Sequence, residues 1–122
     1  MPSPTQQKGD QGETLARRFL EGKGYRFLTQ GWQCRYGEID LIMMDQDELV
    51  FCEVKLKKQS DWGFPEDMVT QKKRRHLVKT ANDYLQKRTS QEIFFRFDTI
   101  AVTEKSGRYD IAHFIDTIRE DR

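Results

Sequence analysis

The sequence predicts an α/β fold: a mixed central sheet of about five strands with helices packed against it. Three observations carry that reading. Two apolar, β-branched runs, Ile39-Asp40-Leu41-Ile42-Met43-Met44 and Leu49-Val50-Phe51-Cys52-Glu53-Val54, flank the polar Asp45-Gln46-Asp47-Glu48 and read as a β-hairpin. Helical apolar stripes lie before it (Leu15, Ala16, Phe19, Leu20) and after it (Val69, Leu77, Ala81, Tyr84, Leu85). Two more strand-like runs, 93–103 and 109–115, close the chain. With one strand ahead of the hairpin, the order is α-β-β-β-α-β-β.

A chain of 122 residues, 36% hydrophobic and 34% charged, fits one globular domain over 1–122. The apolar runs are too short to span a bilayer, and Met1-Pro2-Ser3-Pro4-Thr5 does not read as a secretory leader. Cys34 and Cys52 make neither a disulfide framework nor a Cys-x-x-Cys knuckle, and they read as reduced thiols. A cytoplasmic location is therefore expected. Net charge is only +1, but ten Lys/Arg (55, 57, 58, 72, 73, 74, 75, 79, 87, 88) face four Asp/Glu (61, 66, 67, 83) between Lys55 and Arg88. That layout suits an anionic polymer meeting an acidic pocket; it equally suits a solvated helix face.

In chain order, residues 1–9 read as a loose polar tail. Asp10 is a candidate N-cap with Glu13 three residues on, and Gly22 and Gly24 end the first helix. Glu13 lies at the border of the buried face. It is either an acid favoured by the helix dipole or a third acid leaning toward the hairpin. Residues 25–35 read as a first strand broken or bulged at Gly31, and Gly37 permits a tight entry into the hairpin. After Lys55, Lys57 and Lys58 comes a loop with Trp62 and Phe64, which either cap the core or stack on bases. Glu66-Asp67, behind Pro65, are expected to start the second helix. Lys73 falls inside its buried arc and is its best candidate for a phosphate or carboxylate partner. His76 reads as a surface or boundary residue. In the later strands Phe95 and Phe97 share one face and Arg96 and Asp98 the other. His113 alternates with Ile111 and Ile115 and reads as structural; the two histidines without cysteines make no zinc site.

Chemistry concentrates at the hairpin's open end. Side chains alternate along a strand, so Glu38, Asp40, Ile42 and Met44 are expected on one face, matched by Leu49, Phe51, Glu53 and Lys55. A two-residue turn at Gln46-Asp47 pairs Asp45 with Glu48 and sets Asp40 opposite Glu53. Two carboxylates covered on both sides need compensation, and a hard cation, Mg²⁺ or Mn²⁺, would neutralise both. In phosphodiester hydrolysis such an ion polarises the phosphate and acidifies the attacking water. Lys55 would orient that water or stabilise developing charge. Lys57 and Lys73 would hold flanking phosphates, and Arg74 and Arg35 complete the expected nucleic-acid contacts. The competing reading makes Asp40 and Glu53 members of structural ion pairs.

The string Gly37-Glu38-Ile39-Asp40-Leu41-Ile42 followed by Val50-Phe51-Cys52-Glu53-Val54-Lys55 resembles the PD-(D/E)xK nuclease superfamily. More closely, with Gly12-Glu13 and Ala16, Gly24-Tyr25, Gly63-Phe64-Pro65, Lys73, Ala81, Tyr84-Leu85 and Arg96-Phe97-Asp98, nearly the whole chain resembles the YraN-like family, similar in fold to archaeal Holliday-junction resolvases. The resemblance implies a restriction-endonuclease-like fold. It makes Glu13, Asp40 and Glu53 metal ligands and Lys55 the catalytic lysine. The implied partner is DNA, branched or under repair. Resolvase-like relatives pair up, so a homodimer is an option. The chain departs from the family pattern at Gly31, where asparagine is usual, and at Lys57, where arginine is common; an ammonium lacks the planar fork for phosphate. The alternative function is a nucleic-acid-binding module or adaptor without turnover.

Overall fold

In the computed structural model, which describes residues 4–58, 70–88 and 93–118, the elements follow the expected order: α1 (Pro4–Gly22), β1 (Arg26–Cys34), β2 (Gly37–Asp45), β3 (Glu48–Lys58), α2 (Gln71–Arg88), β4 (Phe94–Lys105) and β5 (Arg108–Phe114). The strands form one sheet in the order β1-β2-β3-β4-β5. Pairs β1–β2, β2–β3 and β4–β5 are antiparallel, and β3–β4 is parallel. A parallel pair needs a crossover, and α2 lies within it. Among the described residues no helix is long and apolar enough to cross a membrane.

The hairpin turns at Gln46-Asp47. Asp45 pairs with Glu48, and the ladder runs in that register to Leu41↔Cys52. Both sheet faces are covered. On one, Leu41, Met43, Val50, Cys52, Ile100 and Val102 pack on Ala16 and Leu20 of α1. On the other, Ile39, Ile42, Leu49, Phe51 and Phe97 pack on Leu77 and Ala81 of α2. Phe51, 1% exposed, meets Tyr84, Phe95 and Phe97 with ring centroids 5.5–5.9 Å apart. Burying such a side chain contributes about 1.5–3 kcal/mol, so β2 and β3 are anchored from both sides.

Several expectations need correction. Helix α1 starts at Pro4, so residues 4–9, read as a loose tail, are its first turns and Asp10 lies inside it rather than capping it. Pro4 suits a first helical position because no partner is lost with its missing N–H. The displaced residue in β1 is Leu28, between the pairs Phe27↔Met43 and Thr29↔Ile42, although Gly31 does take a positive φ of 69°. Helix α2 opens at Thr70, whose Oγ1 accepts the Lys73 N–H at 3.1 Å as an N-cap. The start expected at Glu66-Asp67, Val69 of its buried arc, and the Trp62–Phe64 loop lie outside the described residues. The histidines are as read: His76 is exposed, and His113 is buried between Asp98 and the rings of Phe19 and Tyr25.

At the far end of the sheet from the acids, Arg96 joins β2, β3 and β4 to the residue just ahead of β1. It donates to Asp98 (3.0 Å), Asp45 (3.2 Å), Glu48 and the Tyr25 hydroxyl (2.8 Å). Asp98 also accepts from the Asp116 N–H (3.0 Å) and pairs with His113 Nε2 (2.7 Å). Burial works to raise the Asp98 pKa, but His113, Arg96 and the Asp116 N–H together hold it below its ordinary value.

Entry into β2 depends on Gly37. Its φ is 148°, and a β-carbon there would stand 3.4 Å from Thr80 Oγ1 of α2. Only glycine reaches that backbone region cheaply. Gly37→Ala is expected to destabilise the protein by about 1–3 kcal/mol, read as a lower urea midpoint at unchanged m-value.

Candidate metal centre

The strands part at Asp40. Ile39 and Ile42 both pack on the α2 side, whereas Leu41 and Met43 pack on the α1 side. Strict alternation would put 39 with 41, so the period slips once at Asp40-Leu41. Asp40 Oδ2 instead accepts the backbone N–H of Val54 at 2.8 Å, a side chain doing a ladder carbonyl's work.

The slip corrects the expected shared face. Asp40 points with Glu38 toward α1, where Glu13 stands over them. One carboxylate oxygen each from Glu13, Glu38 and Asp40 lie within 4.8 Å of one another. Glu53, 4% exposed, points to the α2 side. Its Oε1 is 3.2 Å from Lys55 Nζ and 3.6 Å from Lys73 Nζ. Its Oε2 is buried and has no hydrogen-bond partner among the described residues.

The trio is electrostatically strained. Burial first, then Asp40, Glu38 and Asp10, push the Glu13 pKa from 4.5 to about 8, against a hydrogen bond with Gln30. Burial first, then Glu53, push Asp40 from 3.8 to about 7, against the Val54 N–H and Lys73; Glu38 adds to the rise. Asp40 therefore sits between two acid groups, Glu13–Glu38 on one side and the lysine-clasped Glu53 on the other. Gln33 Nε2 donates to Glu38 Oε2 at 3.3 Å, and Gly31 of the neighbouring strand leaves room beside Glu38 Oε1. Three oxygen donors on half-buried residues fit a hard divalent cation. Asp40 also feels the Glu53 carboxylate, which the two lysines clasp.

The other expected site residues divide. Lys55 and Lys73 join the centre through Glu53. Lys57 follows Lys55 on β3 and is half-buried. Arg74 is half-buried on α2 with a buried Nε that has no hydrogen-bond partner among the described residues. Arg35 lies in the β1–β2 turn, where its Nη2 donates to the Tyr36 hydroxyl at 2.6 Å. Sequence reasoning missed Glu38 as a site residue. The signal was its place two residues before Asp40 on a strand, beneath a helix carrying Glu13.

Comparison with known proteins adds the family. A UPF0102 protein of Vibrio parahaemolyticus is 47% identical over 103 residues, covering 84% of each chain. One from Myxococcus xanthus is 36% identical over 112 residues, covering 92% of this chain and 89% of its own. One from Coxiella burnetii is 45% identical over 104 residues, covering 84% of this chain and 87% of its own. The family model described as "Uncharacterised protein family UPF0102" matches residues 12–102, a span that holds Glu13, Glu38, Asp40, Glu53, Lys55 and Lys73. The chain belongs to the UPF0102 family, in agreement with the YraN-like resemblance of its motifs.

Proposed function

We propose that the protein is a metal-dependent nuclease that hydrolyses DNA phosphodiester bonds, with branched or repair intermediates as its substrate class. The observation that carries this reading is the trio Glu13–Glu38–Asp40, with two of its carboxyls held well above their ordinary pKa, beside two lysines gathered on a buried acid. Glu13, Glu38 and Asp40 would hold Mg²⁺ or Mn²⁺. When bound, the ion supplies a polarised phosphate oxygen and a water of lowered pKa. Lys55 and Lys73 keep partly exposed ammonium groups on Glu53, on the α2 side of Asp40. There they serve the non-bridging oxygens as negative charge grows in the transition state. Glu53 fixes both lysines and acts as a positioning residue. Lys57, Arg74 and Arg35 extend the cationic surface along a bound backbone.

One observation favours the second reading, a binding module without turnover: Glu53 already has two cationic partners without any ion. Purified protein assayed on linear, flapped and four-way DNA with Mn²⁺ separates the two. The nuclease reading expects Mn²⁺-dependent cleavage that falls by about a hundredfold or more in Glu53→Ala. DNA binding with no cleavage by the wild type on any of these substrates sinks it and leaves the module.

A further inference from the structure

One flank of α2 and the adjoining β1–β2 turn carry cations that stand on aromatic rings. Arg35 Cζ is 4.8 Å, and Lys79 Nζ 6.0 Å, from the centroid of Tyr36. Lys87 Nζ is 6.0 Å from the centroid of Trp32. Trp32 is held edge-on by Tyr84 at 5.3 Å. Tyr36 and Trp32 are both half-buried residues. Lys79 and Lys87 are eight residues apart, two turns on the same flank, or about 12 Å along the axis. Lys87 is paired with Asp83 at 3.0 Å. Neither Arg35 nor Lys79 has an acid within ion-pair distance among the described residues. The stripe therefore has excess positive charge, and its rings alternate with the charges.

We infer that this stripe binds an unpaired strand of nucleic acid. Phosphates supply the anions that Arg35 and Lys79 lack, and unstacked bases supply flat faces for Tyr36 and Trp32. A duplex offers the same phosphates but keeps its base faces inside the stack, so rings add affinity only for the single strand. Charge complementarity supports that occupant. The same helix also carries Lys73, six residues or about 9 Å before Lys79, whose Nζ lies 3.6 Å from Glu53 Oε1. The inference rests on the proposed function only for its ligand class.

The test is fluorescence anisotropy in EDTA, so that hydrolysis plays no part. The probes are a labelled mixed-sequence single strand and its duplex. The single strand is expected to bind about tenfold tighter than the duplex. Tyr36→Ala is expected to lose that advantage with duplex affinity unchanged, and Lys79→Gln to lower the salt slope for the single strand by about one. Equal affinity for strand and duplex overturns the inference, as does an unchanged advantage in Tyr36→Ala. Should Tyr36→Ala not fold, the strand-to-duplex ratio and the Lys79→Gln slope decide alone. Cleavage of DNA by a protein that binds both forms alike defeats the stripe and spares the nuclease. Preferential strand binding that needs Tyr36, with no cleavage under Mn²⁺, does the reverse.

Discussion

Asp40→Asn is expected to abolish Mn²⁺-dependent DNA cleavage and, at the same time, to make the metal-free protein more stable. The Asn oxygen can still accept the Val54 N–H that Asp40 Oδ2 holds at 2.8 Å, so the strand junction survives. What disappears is a carboxylate pushed from 3.8 to about 7 by burial and by Glu53. A carboxyl whose pKa is raised on folding binds its proton more tightly in the native state. Stability therefore falls as pH climbs from the unfolded value toward the folded one. The wild type should lose ground to the variant between about pH 4 and about pH 7, with Glu13 extending its own decline to about pH 8. At the alkaline end the variant should lead by about 1–3 kcal/mol, with near-equality at about pH 4. Metal reverses the order. At one hundred times its dissociation constant an ion bound only by the native state adds about 2.7 kcal/mol, and that gain should vanish in Asp40→Asn. Thermal melts across pH, with and without Mn²⁺, read both effects. A variant no more stable than wild type at alkaline pH would mean that the acids do not strain the apo fold.

Arg96→Met is expected to cost about 3–5 kcal/mol, a fall in Tm of roughly 10–20 °C for a chain of this size. The loss comes from what the guanidinium leaves behind. Asp98 is buried, and Asp45, Glu48 and the Tyr25 hydroxyl all lose a donor. An exposed pair such as Lys105–Asp110, at 3.3 Å, contributes only about 0–1 kcal/mol. Asp98 has a depressed pKa, so its contribution is present above its unfolded value and is lost as pH falls through the folded one. The deficit of Arg96→Met should accordingly narrow as acid protonates Asp98. Calorimetry at neutral and acid pH checks both the size and the trend. A deficit that stays constant toward acid would show that the cost is lost packing rather than a stranded carboxylate.

The architecture was legible because its signals are local. A polar pair between two β-branched runs fixes the hairpin, and the Asp45↔Glu48 pairing follows from turn length alone. Arg96 and Asp98 share a face, as alternation requires, and pair there. The composition of the centre was less legible. Period two placed Asp40 with Glu53, but one slip at Asp40-Leu41 transfers Asp40 to the side of Glu13 and makes Glu38 its neighbour. Nothing in residue type marks that slip, because it follows from Asp40 taking the Val54 N–H. The helix starts went astray for a different reason. Residues 4–9 lack an apolar stripe, so periodicity did not register the opening turns of α1, and Thr70 as a cap was overshadowed by the more conspicuous Glu66-Asp67.

The parallel junction of β3 and β4 also governs how the molecule is made. Glu48 meets Phe94 across the whole length of the crossover, whereas β2 and β3 are joined by two residues. Contacts close in sequence form early, and distant ones await loop closure. The antiparallel hairpin can therefore mature while β3 still has one bare rim lined by Val50, Phe51 and Cys52. A nascent chain delayed at that stage offers a ready template to another copy of itself. High-level synthesis is thus most hazardous in the interval before the crossover docks.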